Sequence, residues 1–190
     1  MSLRVLVIPE DPTYNGYILR PLVQAILADA GKPVAKVQVL TSPRLGGYDQ
    51  ARAAIVGELT ASYSHFDVWL FMPDADRASD AAMGDLELAL GARGITLFCC
   101  PAVPEVEIYA CAAYRADIPG GWQAARANGQ MKEQIFEPLR RRFGDPRSAG
   151  SGREQMISES LRNRPLLFQL CPELQRLRDR LAAHLQGRPA

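Results

Sequence analysis

The sequence predicts an α/β fold, a mostly parallel β-sheet with helices on both faces, followed by a helical C-terminal subdomain. Three observations carry this expectation. Four short aliphatic runs, at residues 3–8, 35–40, 68–72 and 95–100, alternate with segments of helical period. The resulting β-α-β-α-β-α-β order calls for crossover connections, hence parallel strands with helices packed on the faces. After Asp117-Ile118-Pro119-Gly120-Gly121, the strongest linker signal in the chain, strand patterning stops and helical patterning takes over.

The first run, Leu3-Arg4-Val5-Leu6-Val7-Ile8, is closed by Pro9 and opens into Glu10-Asp11-Pro12, a strand ending in an acidic turn. Residues 16–30 place Ile18, Leu22, Val23, Ile26 and Leu27 at helical spacing, with Asn15 as cap and Gly31 as stop. Residues 35–40 alternate Val37 and Val39 with Lys36 and Gln38, as in a strand near an edge or exposed on one face. Gly46-Gly47 then leads into a helix over about residues 49–63; its spacing matches neither a P-loop nor a dinucleotide fingerprint, so it reads as a flexible turn.

The third run, Val68-Trp69-Leu70-Phe71-Met72, is continuously apolar, as a strand covered on both faces is. Pro73 lacks the N–H needed to extend the ladder, and two carboxylates one residue apart, Asp74 and Asp76, follow. The carboxyl end of a strand is where open α/β sheets bind ligands, although an isolated Asp-x-Asp is also an ordinary turn. Ser79-Asp80 caps a helix through Met83, Leu86 and Leu90 that Gly91 and Gly94 terminate. The fourth run ends at Pro101 and passes into Val103-Pro104-Glu105-Val106-Glu107-Ile108-Tyr109. Strands one, three and four therefore each lead to carboxylates.

The expected organisation is an α/β domain over residues 1–118 and a helical, basic extension over residues 119–190. Helices are predicted at 131–143, 153–162 and 172–186, with a turn-rich, mobile segment at 144–152. Leu174, Leu177, Leu181 and Leu185 form an apolar stripe suited to core packing. With 190 residues, 47% of them hydrophobic, the chain can bury one substantial core. No run of about 18 apolar residues is present, so the expectation is a soluble cytoplasmic protein with no membrane partner.

Cys99, Cys100, Cys111 and Cys171 show no zinc spacing and read as reduced core residues; with only His65 and His184, no Ser/His/Asp or Cys/His set suggests itself. Net charge is +1, but unevenly placed: residues 1–120 hold 9 Lys and Arg against 14 Asp and Glu, and residues 121–190 hold 13 against 7. A basic appendage beside an acidic centre suits a polyanionic substrate held by one part and cut in the other; the plainer alternative is that the arginines are solvated helix faces. The remaining chemistry is that of carboxylates. Glu10, Asp74, Asp76 and Glu107 are hard oxygen donors suited to Mg²⁺ or Mn²⁺, and four anions at one sheet edge repel one another unless a cation neutralises them.

A strand followed by Glu10, a later strand followed by Asp74-Ala75-Asp76, and helices between them resemble the Toprim fold of topoisomerases, primases and OLD-type nucleases. The segment Val103-Pro104-Glu105-Val106-Glu107-Ile108-Tyr109 is similar to a Pro-x-x-Glu-x-(aromatic) segment of small Toprim-like proteins related to OLD and RloB, often associated with phage defence. The resemblance implies that Glu10 is the Toprim glutamate, a general acid/base or metal ligand, that Asp74 and Asp76 are the metal-binding doublet, and that Glu107 is the later catalytic glutamate. Lys132 would match a lysine that follows in those relatives. The chain departs from the pattern in having Asp11-Pro12 after Glu10, and Ala112 and Ala113 where an acidic residue is common.

The function expected on these grounds is a Mg²⁺- or Mn²⁺-dependent phosphodiesterase or nuclease of DNA or RNA metabolism or phage defence. Glu10, Asp74, Asp76 and Glu107 would be catalytic, with Glu10, Asp74 and Asp76 on the metal and Lys132, Arg140, Arg141, Arg142 and Arg153 on the nucleic acid. The alternative is a non-catalytic Toprim-like subunit that binds nucleic acid, a nucleotide or a partner ATPase, the last being implied by the resemblance alone.

Overall fold

Aliphatic runs that expose almost nothing to solvent build the centre of the protein, for which a computed structural model describes residues 2–187. β1 (Arg4–Pro9), β2 (Lys36–Val39), β3 (Val68–Met72) and β4 (Leu97–Cys99) form one sheet in the order β2-β1-β3-β4. All three pairings are parallel, with Val5 opposite Val68, Val7 opposite Leu70, and Phe71 opposite Cys99. The α/β expectation therefore holds, with every strand parallel.

Period-two alternation divides the central strands between two layers. Val5, Val7, Val68, Leu70 and Met72 face α1 (Gly16–Asp29) and the C-terminal helices. Leu6, Ile8, Trp69 and Phe71 face α2 (Tyr48–Val56), α3 (Glu58–Ser62) and α4 (Asp80–Gly91). Each such side chain contributes about 1.5–3 kcal/mol by leaving water, so a charge at Leu70 or Trp69 would break the fold.

The C-terminal half has helices and turns but no strand of the sheet: α5 (Ile108–Cys111), a 3-10 turn (Ala112–Asp117), α6 (Gly121–Arg126), a π-helical turn (Lys132–Phe136) running into α7 (Glu137–Phe143), then α8 (Arg153–Leu161), α9 (Arg164–Leu170) and α10 (Pro172–Gln186) among the described residues. Their apolar faces join the α1 side of the sheet in one continuous core, with α8 packed on α1 and α5 and the Leu174, Leu177 and Leu181 stripe buried. No described helix is long and apolar enough to cross a membrane.

Local differences from the sequence reading have identifiable causes. The helix expected over 49–63 breaks at Gly57 (φ −100°, ψ −105°), giving α2 and α3. Asn15 occupies the cap position of α1 without a capping hydrogen bond and is instead buried. α9 went unpredicted; Asn163 caps it by accepting from the Leu166 amide, and Pro165 stands in its first turn. Segment 144–152 packs closely, with Gly150 pressed on the Tyr17 ring and Gly152 on the backbone of Gly144, where any Cβ would collide.

Candidate functional site at the carboxyl edge of the sheet

In the order β2-β1-β3-β4 the chain leaves β1 toward one side and later returns to its other side as β3. The carboxyl ends of β1 and β3 thus flank the point where the topology reverses, the usual ligand crevice of open α/β sheets. Glu10 directly follows β1, and Asp74 lies two residues beyond β3. Pro73 does not end the pairing, because the strands stay together on its carbonyl side. Its C=O accepts from the Ala102 amide (2.8 Å), Asp74 bridges to Ala102, and the Ala75 amide donates to Pro104 (2.9 Å). This short extension carries the segment holding Glu105 and Glu107 up against Asp74.

Backbone amides hold the carboxylates. The Asp74 amide donates to Glu10 Oε2 at 3.4 Å, and the Tyr48 amide, at the start of α2, also faces the Glu10 carboxylate. Gly47 shapes this turn: its φ of 118° is a conformation that favours glycine, and it brings the backbone at Gly47 to within van der Waals reach of Glu10. The Gly46-Gly47 turn therefore receives a carboxylate from the protein's own chain. Asp74 Oδ1 accepts from the Val106 amide at 2.9 Å.

Crowding shows in the protonation of these groups. Burial, followed by the charges of Glu107, Glu10 and Glu105, outweighs the Val106 hydrogen bond and pushes the Asp74 carboxyl up to about 7. Burial likewise raises Glu10, with the Asp76 charge adding to it, and raises Glu105, with Glu107 and Glu133 adding. Glu107 is 1% exposed, and neither of its oxygens receives a well-aligned hydrogen bond. Its counter-charge is the Lys132 ammonium, 3.3 Å from Oε1. Burial alone would lower the pKa of Lys132, but Glu107, Asp11 and Asp74 together raise it. The backbone at Lys132 is fixed by its amide, which donates to Glu105 Oε2 at 2.9 Å where the π-helical turn begins.

Of the residues singled out in the sequence, Glu10, Asp74, Glu107 and Lys132 come together, and Asp76 lies at the exposed rim within reach of the charge on Glu10. Among the described residues no group of three or more His, Cys, Asp or Glu side chains is arranged to hold a metal ion. The adjacent carboxylates are hard oxygen donors, the ligand type that Mg²⁺ takes. Mg²⁺ is commonly held by one or two carboxylates plus substrate phosphate, which Glu10 and Asp74 are placed to provide.

The arginines lie otherwise. Arg153 is 5% exposed; it donates to Glu137 (3.1 Å) and its guanidinium stacks on Tyr14 and Phe136. Arg140 donates twice to Glu137 and once to the Ser151 carbonyl. Both hold α7 and α8 together and are not free surface cations. Arg142 pairs with Asp117 at 2.9 Å, and Arg141 is exposed.

Three contributors were missed by sequence reasoning: Glu105, Asp11 and the amide-bearing turn at Gly47-Tyr48. Glu105 stands in the same Pro-Glu-Val-Glu segment as Glu107, and a glycine pair before a helix was the available signal for the turn. All four cysteines are buried and unpaired, with thiols that burial raises out of the reactive range. No protein-family model, curated protein or solved structure matches this chain.

Proposed function

We propose that the protein is a phosphodiesterase acting on nucleic acid, with its site at the carboxylates of Glu10 and Asp74. The observation that supports this best is the meeting of Glu10 and Asp74, from the ends of two neighbouring strands, with Glu107, from the cap of α5, at the topological reversal of a parallel sheet. The Toprim-like pattern of the sequence, with its implied role in phage defence or DNA and RNA metabolism, adds to the same reading. Glu10 and Asp74 would hold Mg²⁺ or Mn²⁺ together with substrate phosphate, and Asp76 at the rim would orient the ion's waters. When bound, such an ion polarises a phosphoryl oxygen and activates water. The chain's own contribution is to hold both carboxylates on backbone amides, with the Lys132 ammonium, paired to Glu107, adding positive charge near Asp74.

A second reading, a non-catalytic subunit that binds nucleic acid, a nucleotide or a partner ATPase, is favoured by two observations. No three-carboxylate group is arranged for a metal among the described residues, and Lys132 already neutralises Glu107. Cleavage of labelled single-stranded DNA, duplex DNA and RNA, with Mn²⁺ and with EDTA, tests the catalytic reading. Wild type should cut at least one substrate only with the metal, and Asp74→Ala should cut none. Equal rates for wild type and Asp74→Ala would overturn it.

A further inference from the structure

Between α4 and α10, over the carboxyl end of β4, lies a cleft of about 610 Å³. It opens beside the carboxylates, since Ala75, the residue between Asp74 and Asp76, forms part of its wall. α10 presents Glu173, Arg176, Leu177 and Arg180 to it, the i, i+3, i+4, i+7 stripe of one helix face. These charges are not equivalent. Glu173 is closed by a bidentate pair with Arg126 (2.9 Å at both contacts). Glu87 is closed by Arg180 (2.5 Å) and by the Cys99 amide (2.6 Å), which also covers an outward-facing N–H of the edge strand. Arg176 is exposed and, among the described residues, has no ion-pair or hydrogen-bond partner. Asp80, in the first turn of α4, is the lining carboxylate likewise without one. Small residues, Ala78 and Gly84, give the cleft its width, and a Cβ at Gly84 would meet nothing within 4 Å.

We infer that this cleft seats a phosphate of the substrate strand next to the one at Glu10 and Asp74, with Arg176 as its counter-ion; the inference rests on the phosphodiesterase reading. An acidic edge cannot hold a polyanion by itself, and a free guanidinium one wall away supplies the attraction it lacks, in a geometry that suits phosphate oxygens. Arg140 and Arg153 are spent on Glu137 and Arg142 on Asp117, whereas Arg176 is available and lines the cleft beside the carboxylates. Asp80 works against binding, so its neutralisation should strengthen it.

The test is fluorescence anisotropy of labelled single-stranded DNA and RNA of about 12 nucleotides on the intact protein in EDTA, where binding is read without turnover. Arg176→Ala should weaken binding roughly tenfold and flatten the log–log salt dependence by about one unit. Asp80→Asn should tighten it. Gly84→Leu should narrow the cleft and weaken binding with no fall in melting temperature, because Gly84 lines the cleft, a Cβ there meets nothing within 4 Å, and leucine favours a helix more than glycine does. Wild-type affinity and salt slope in both Arg176→Ala and Gly84→Leu would overturn the inference. If those variants bind normally while Asp74→Ala abolishes metal-dependent cleavage, the cleft falls and the phosphodiesterase stands. If they lose binding but no substrate is cut, the cleft stands and the catalytic reading falls.

Discussion

The carboxylates at the sheet edge and the arginines of α7 and α8 are both dense clusters of one charge, yet they are settled in opposite ways. At the edge, Glu10, Asp74, Glu105 and Glu107 share one ammonium and a few amides, and burial, with the neighbouring negative charges adding to it, raises the carboxyl pKa values of Glu10, Asp74 and Glu105. Between α7 and α8, Glu137 takes both Arg140 and Arg153 and is held below the usual carboxylate range: burial raises it, but the hydrogen bond from Arg140 and the charges of Arg140, Arg153 and Arg141 outweigh that. One cluster carries carboxylates whose counter-charges are not built in. The other has spent its charge on joining two helices. Local charge density therefore marks a site only where the counter-charges have not been built in.

The largest expected effect tests the unsatisfied side. The folded value of Asp74, about 7, lies above its ordinary value of 3.8, so the proton favours the fold. That contribution is fully present below about pH 4 and is lost as pH rises through 7; a rise of about three units is worth on the order of 4 kcal/mol at most. In EDTA the melting temperature should fall between pH 5 and pH 8. Asp74→Asn, which keeps the Oδ1 acceptor for the Val106 amide, should melt higher than wild type at pH 8 and show a shallower fall. A residual slope is expected from Glu10 and Glu105, whose shifts have the same sign. Identical pH profiles for the two proteins would mean that burial and its neighbours do not raise the Asp74 carboxyl.

Next in size is the internal cation. Lys132→Ala leaves the buried Glu107 without its counter-charge and should cost about 3 kcal/mol, the low end for breaking a buried pair, because Lys132 is itself one-third exposed. Adding Glu107→Gln should recover most of that loss in a urea titration. If the double variant is no more stable than Lys132→Ala, Glu107 is not the charge that Lys132 serves.

These residues also show how much of the molecule the sequence makes legible. Strand-end residues could be placed because a parallel sheet fixes neighbouring strands about 4.8 Å apart, so carboxylates directly after buried strands must meet at one edge. Glu10 and Asp74 followed from that geometry, whereas Glu107, eight residues beyond β4, is brought in by the Asp74–Ala102 extension. Arg140 and Arg153 did not, because the direction a helical side chain takes depends on which neighbour the helix docks against. Nothing in the local pattern of α7 announces that Glu137 lies within 3.1 Å of a residue sixteen positions on. The Gly57 break and the capping of α9 by Asn163 are different, because a glycine and an Asn-Arg-Pro start are themselves local signals.

The satisfied side is tested by Arg153→Ala. Losing a buried guanidinium that donates to Glu137 and to the Gly150 carbonyl should cost about 2 kcal/mol, or roughly 4–8 °C in melting temperature for a chain of this size. Oligonucleotide binding by the folded fraction should keep its salt slope. A normal melting temperature with a flatter slope would make Arg153 a ligand group rather than a strut.

The smallest effect belongs to Arg141 and Arg142, and it decides how far the contrast extends. Arg142 pairs with Asp117 across 2.9 Å, but its side chain is 66% exposed, and such pairs are worth about 0–1 kcal/mol. Its guanidinium also lies over the Phe143 ring at 4.7 Å, which orders the side chain without burying it. Neither Arg141→Ala nor Arg142→Ala should therefore move the melting temperature measurably, and any effect they have must be electrostatic and long-range. The measurement is the salt slope of oligonucleotide binding in the double variant Arg141→Ala/Arg142→Ala, set beside that of Arg176→Ala. If α7 is a solvated face, the double variant keeps the wild-type slope and Arg176→Ala loses about one unit. If the double variant instead loses about two units, the basic helices do carry substrate, and the division between a charged edge that binds and charged helices that only join would apply to Arg140 and Arg153 alone.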